Sequence, residues 1–160
     1  MIELSDAEKD FIERMGLSIQ ADGMSRITGR VWGLILLVGG PISSAQIAET
    51  LEISKGSVST NTRQLETFGV IERRAVPGER QDHFALSNDP YTAVLEQQRR
   101  KFAKDAATVR EAMAAVKHRI GATERLDAHL HFYEAMSEAF ERASDQVSGD
   151  GHRLAKGGTR

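Results

Sequence analysis

The residues with the clearest chemical content run from Ser54 to Arg63: Ser-Lys-Gly-Ser-Val-Ser-Thr-Asn-Thr-Arg. A serine placed to cap a helix, with a lysine and a glycine behind it, is chemistry for an anion. The amides of a first helical turn point outward, the helix end is positive, and Lys55 adds its own charge. At about 100° per residue, Gly56, Ser59, Thr60, Arg63 and Thr67 fall on one side of such a helix. Ser54, Val58, Asn61, Leu65 and Phe68 fall on the other. The first side is narrow and hydroxyl-bearing, with one arginine and no acid between Gly56 and Gln64. Those are the demands of a DNA major groove: small side chains for close approach, hydroxyls for phosphates and base edges, and an arginine long enough for guanine. Two plainer readings stand beside it, a solvated amphipathic face and a helix-turn-helix that binds protein. Asn61, at the buried edge, serves either the backbone or the groove.

The same segment continues into Val70–Ala75 and Gln81–Leu86, two short strand-like runs separated by Val76-Pro77-Gly78-Glu79-Arg80. Proline followed by glycine is a turn signature, so the pair reads as a β-hairpin. Arg73, Arg74 and Arg80 bracket its tip and can reach a flanking phosphate or a minor groove. Glu72 and Glu79 alternate with them, so a salt-bridged hairpin is the competing reading. Arg80, beyond the turn glycine, is the strongest candidate for contact.

The elements that must hold these residues follow from caps and periodicity. Ser5-Asp-Ala-Glu8 is a capping box, and Phe11, Ile12, Met15 and Ile19 recur at helical spacing, which predicts a helix from about Ser5 to Ala21. A second helix is predicted from Ser25 to Val38, apolar nearly all round at its end and stopped by Gly39-Gly40-Pro41. Ser43 with Gln46 opens a third, Ser43–Leu51, and after Glu52-Ile53 comes Ser54–Phe68, ended by Gly69. Two helices joined by so short a turn, with a hairpin behind, make a winged helix-turn-helix. Asp89-Pro90 then opens a long helix. Leu95, Phe102, Val109 and Val116 lie seven apart, as do Ala106, Met113 and Ile120. After Gly121-Ala-Thr a last helix carries Leu126, Tyr133, Phe140 and Val147 at the same spacing. The fold class is thus mainly α with a small β-hairpin, a winged helix-turn-helix plus long C-terminal dimerisation helices. The expected divisions are an N-terminal helix over 1–22, the winged unit over 23–88, the dimerisation helices over 89–148, and a disordered glycine-rich basic tail over 149–160.

Composition narrows the function classes. The 160 residues carry a formal net charge of -2, so positive charge for a nucleic acid must be local. The absence of cysteine removes disulfides, iron–sulfur clusters and thiolate zinc sites. No apolar run is long enough to span a bilayer and the acidic start is no secretory signal, which predicts a cytoplasmic protein. Lys55-Gly56-Ser57 lacks the upstream glycine of a phosphate loop, and no Gly-x-Ser-x-Gly elbow occurs. No enzyme and no cofactor are expected.

The segments Ser25-Arg-Ile-Thr-Gly-Arg30, Gly40-Pro41, Ile53-Ser-Lys-Gly-Ser-Val-Ser-Thr-Asn61, Leu65-Glu66 and Pro77-Gly-Glu-Arg80 resemble the MarR superfamily. More closely, they are similar to the GbsR-like branch, regulators named for control of glycine betaine synthesis. The resemblance spans roughly Phe11 to Leu86. It implies a homodimer that sets two winged units on a pseudo-palindromic double-stranded DNA site, usually as a repressor, with some members answering to choline-like effectors. Ser54, Lys55, Gly56, Ser57, Ser59, Thr60, Arg63 and Arg80 match positions that face DNA in the family. Thr62 stands where a larger apolar residue is expected.

The heptads after Pro90 need a partner surface, which the last helix of the same chain and a second subunit in a two-fold dimer would supply; an intramolecular helical hairpin alone is the competing reading. A small-molecule effector with a quaternary ammonium would want an aromatic cage, for which Trp32, Tyr91, Phe102 and Tyr133 are candidates and hydrophobic core is the alternative. A metal-responsive regulator would draw on His118, Asp127, His129, His131 and Glu134. His129 and His131, two apart on a helix, point about 200° apart and cannot share an ion, whereas Asp127 and His131 can.

Overall fold

The computed structural model describes the backbone of residues 2–116 and 119–154, with side chains through 148. It contains two compact units that divide between Pro90 and Tyr91.

In the first unit, helix α1 (Asp6–Ala21) starts at the Ser5 cap with both capping-box hydrogen bonds made. Helix α2 (Arg26–Val38) is capped by Ser25 and ends at Gly39 in the left-handed region. The two cross at unusually close range. A methyl group on Gly29 would lie 2.4 Å from the Met15 carbonyl oxygen and 2.8 Å from Gly16 Cα, so backbone meets backbone there. Arg26 and Arg30 of α2 both bind Glu13 of α1, each at 2.6 Å. The hydrogen bond from Arg26 is the largest influence and, with the charges of Arg30 and Arg26, holds the Glu13 carboxyl below its ordinary range against the opposing effect of burial. Arg30 Nε lies off the hydrogen-bond axis of that contact, which is therefore an ion pair rather than a directed bond.

A two-residue strand β1 (Ile42–Ser43) leads into α3 (Ser44–Leu51), which has its own capping box, Ser43 with Gln46. Glu52 turns the chain with φ 55, the one non-glycine residue at positive φ among those described. Helix α4 (Lys55–Thr67) follows from the Ser54 cap. Strands β2 (Ile71–Arg74) and β3 (His83–Leu86) pair antiparallel, and β1 adds to the far side of β3, so the sheet order is β1-β3-β2. The wing is thus a three-stranded sheet rather than a bare hairpin. Two residues after a proline carry no readable alternation, and β1 is visible only through its pairing of Ile42 with Phe84. Ile12, Val31, Leu34, Ile35, Ile42, Ile47, Leu51, Val58, Leu65, Ile71 and Phe84 form one apolar core drawn from every element of this unit. Each such side chain stabilises the fold by about 1.5–3 kcal/mol relative to exposure.

In the second unit, α5 (Pro90–Ala115) and α6 (Ala122–Leu154) run antiparallel, joined by Ser137 Oγ to the Arg99 carbonyl, by Thr92 to Ser148, and by Arg110 to Glu134. Ala106, Val109 and Ala122 are buried, while Leu95, Phe102, Met113, Tyr133 and Phe140 are half-buried. Helix α5 ends five residues before Ile120, which is fully exposed, and Gly121 takes φ 70. The heptad count therefore overran the helix: Val116 and Ile120 keep the spacing without the conformation. At the other end α6 continues through Gly149 and Gly151 to Leu154, beyond the boundary expected at 148. A glycine costs a helix about 1 kcal/mol relative to alanine, which a 33-residue helix absorbs. Residues 155–160 of the expected tail, and His118, lie outside the described residues. No helix among the described residues is long and apolar enough to cross a membrane.

Candidate nucleic-acid interface

Helix α4 separates its two faces as its sequence requires. Val58, Asn61, Thr62 and Leu65 are buried, and Gly56, Ser59, Thr60, Arg63 and Thr67 are exposed. The Ser54 hydroxyl accepts the Ser57 amide at 3.1 Å, which leaves the other first-turn amides facing outward. A Cβ on Gly56 would meet only Ser54 Oγ, at 3.9 Å, so the helix start is bare on its outer side. Lys55 and Arg63 make no ion pair among the described residues and remain available to an anion. Ser57 is half-buried, its amide taken by Ser54 Oγ at 3.1 Å and its carbonyl by Asn61 Nδ2 at 2.7 Å, so what it can offer an outer ligand is its hydroxyl.

Asn61 is settled as a structural residue, because its amide also meets Thr28 Oγ1 of α2 at 2.7 Å. Thr62 is completely buried, its hydroxyl donating to the Val58 carbonyl at 2.9 Å, so a β-branched residue fills the space expected for a larger one. Neither feature carries a sequence signal beyond position on the helix face.

The wing divides its arginines. Arg73 reaches Glu66 of α4 at 3.0 Å and Asp82 at 2.9 Å, and lies over the Phe84 ring. Glu66, by hydrogen bond and charge, raises the Arg73 pKa further above its ordinary value. Arg74 is ion-paired with Glu72 and also meets Asn88 Oδ1 at 3.4 Å. Arg73 is therefore neutralised within the wing by two carboxylates, and Arg74 is partly neutralised by one. Val76 to Glu79 close a turn, the Glu79 amide donating to the Val76 carbonyl at 3.1 Å with Gly78 at φ 85, the type II geometry that Pro77-Gly78 favours. Glu79 is held by buried His83 Nε2 at 3.0 Å, whose other ring nitrogen faces the Gln81 carbonyl. Arg80 is exposed beside them, with no ion pair among the described residues.

The other candidate sites fare differently. Phe102 and Tyr133 lie together, ring centroids 5.8 Å apart, but Phe132 and Phe140 pack on Phe102 as well, so the rings fill one another's faces. Tyr91 is exposed, and Trp32 belongs to the first unit. His129 leans on Tyr133 at 4.4 Å, and among the described residues no three histidine or carboxylate side chains could hold one metal ion.

Residues 22–82 match the model of the MarR family. The chain is 38% identical over 85 residues to the HTH-type transcriptional regulator MmpR5 of Mycobacterium tuberculosis, covering 52% of each chain. It is 26% identical over 92 residues to the HTH-type transcriptional repressor OpcR of Bacillus subtilis, covering 58% of this chain and 50% of that one. The chain thus spans about half the length of the curated relatives it matches. A crystal structure of a transcriptional regulator superposes with a TM-score of 0.69 at 26% identity, covering 94% of this chain and 99% of the other.

Proposed function

We propose that this chain is a MarR-family winged helix-turn-helix regulator that reads a specific double-stranded DNA site as a homodimer and represses transcription from it. The observation that carries this reading is the exposed side of α4: Gly56, Ser59, Thr60 and Arg63, no acid among them, with the outward amides behind Ser54 and the unpaired Lys55 at its start. In this reading Arg63 contacts a base edge, Ser54, Lys55, Gly56 and Ser57 hold a phosphate, Ser59 and Thr60 line the groove, and Arg80 reaches the flanking backbone with lesser help from Arg74. The homodimer is supported by the half-buried heptads of α5 and α6 and by exposed Tyr91 and Phe132, apolar surface that one antiparallel partner leaves uncovered. A pseudo-palindromic operator follows from two-fold symmetry. Within the family we place the chain in the GbsR-like branch, on the motifs from Ser25 to Arg80, and assign it a small-molecule effector of quaternary-ammonium type. Phe102 and Tyr133 are the candidate residues that lie together for it.

Footprinting on the DNA upstream of its own gene tests the DNA reading. The expected result is a protected site with two related halves and an affinity that falls steeply with salt. Protection independent of sequence, or none, would leave a winged-helix adaptor for proteins as the better account. Titration calorimetry with choline and betaine tests the effector, and absence of heat removes it.

A further inference from the structure

We infer that Thr28, a fully buried residue of α2 with no access to DNA, is a positioning residue that sets the rotational phase of the recognition helix α4. Its hydroxyl stands 2.7 Å from Asn61 Oδ1 and 2.8 Å from the Gln64 side-chain amide oxygen as placed. One hydroxyl has one proton and cannot serve two oxygens. Asn61 cannot turn over, because its Nδ2 donates to the Ser57 carbonyl at 2.7 Å. Thr28 therefore donates to Asn61 Oδ1, and the Gln64 amide, whose nitrogen and oxygen are interchangeable by a flip, turns its Nε2 to donate to Thr28. The result is a chain of donors in one direction, Gln64 to Thr28 to Asn61 to the Ser57 carbonyl, that binds α2 to two successive turns of α4.

Val58, Thr62 and Leu65 also hold α4 to the core, but apolar packing is non-directional and tolerates a roll of the helix. The hydrogen bonds do not. A roll of about 20° displaces a point ~5 Å from the helix axis by nearly 2 Å, enough to break a bidentate contact to a base while leaving a phosphate contact within reach. Ser59 and Arg63, each two positions from Asn61, lie about 200° round the helix from it, so the buried chain is what aims them. The inference rests on the DNA reading proposed above.

The test is binding of the full chain to the footprinted site and to a scrambled duplex of the same composition. Thr28→Val should lower the ratio of the two affinities about tenfold, the scale of one buried hydrogen bond, with affinity for the scrambled duplex and the salt slope unchanged. Thr28→Ser, which keeps the hydroxyl, should retain the wild-type ratio. Gln64→Met removes another link at a half-buried position and carries the test if Thr28→Val does not fold. A wild-type ratio in a folded Thr28→Val or Gln64→Met variant overturns the inference, as does an equal loss on both duplexes. A wild-type protein that itself prefers neither duplex overturns the DNA reading, and this inference with it.

Discussion

Arg73 Nε of strand β2 lies 3.0 Å from Glu66 Oε1 near the end of α4, so the wing is tied directly to that helix. The same guanidinium reaches Asp82 at 2.9 Å, and its charge is spent inside the protein. Arg80, a few residues away, has no such obligation. Arg80→Ala should therefore reduce the salt slope of DNA binding by about one phosphate equivalent. Arg73→Ala should leave the slope unchanged and cost less than about 1 kcal/mol of stability, since the pair is half exposed. Affinity measured against salt for both variants checks this, and a slope that responds to Arg73 instead would reverse the roles.

Gly29 should not tolerate a side chain. A Cβ there would meet the Met15 carbonyl and Gly16 Cα, both backbone and neither able to step aside. Gly29→Ala is expected to destabilise the first unit by about 1–3 kcal/mol or more, the range for overpacking. Denaturant unfolding would register it, and an unchanged midpoint would mean that α1 and α2 stand farther apart.

Glu52 offers the opposite case. It holds φ 55 in the turn between α3 and α4, a conformation in which any side chain crowds its own backbone. Glu52→Gly should raise stability by about 0.5–1 kcal/mol, the relief of left-handed strain exceeding the entropy that glycine adds to the unfolded chain. A lower melting temperature for this variant would count against the turn geometry.

Much of this arrangement was legible in the residues themselves, wherever a local rule sufficed. The caps at Ser5, Ser25, Ser43 and Ser54 lie where serine precedes an amphipathic run, because the orphan amides of a helix start need a short side-chain acceptor. The split of α4 into buried and exposed faces followed from its period alone. What stayed hidden depends on partners far along the chain. Thr28 meets Asn61 across 33 positions and β1 exists only because Ile42 finds Phe84. The early end of α5 was masked by Val116 and Ile120, whose heptad spacing persists after the helix has stopped. Glu52 gave no sign either, since glycine is the usual mark of a left-handed turn.

Glu13 links stability to pH. Arg26 first, and then Arg30, depress its pKa, so its contribution is present above the ordinary carboxylate value of 4.5 and is lost as pH falls below that value through the folded one. The melting temperature of wild type minus that of Glu13→Gln should be positive near neutrality and shrink as the solution is acidified past that range. A difference that is flat with pH would show that the ion pairs to α2 contribute nothing.

The central claim is that the exposed face of α4 reads base sequence through Arg63, while Lys55 at its start only holds phosphate. The measurement that tests it most directly is the affinity of Arg63→Ala and Lys55→Ala for the footprinted site and for its scrambled counterpart. The account predicts that Arg63→Ala loses about 1–3 kcal/mol on the specific site and little on the scrambled one, whereas Lys55→Ala weakens both alike and flattens the salt slope. An Arg63→Ala variant that keeps the wild-type preference between the two duplexes would contradict it.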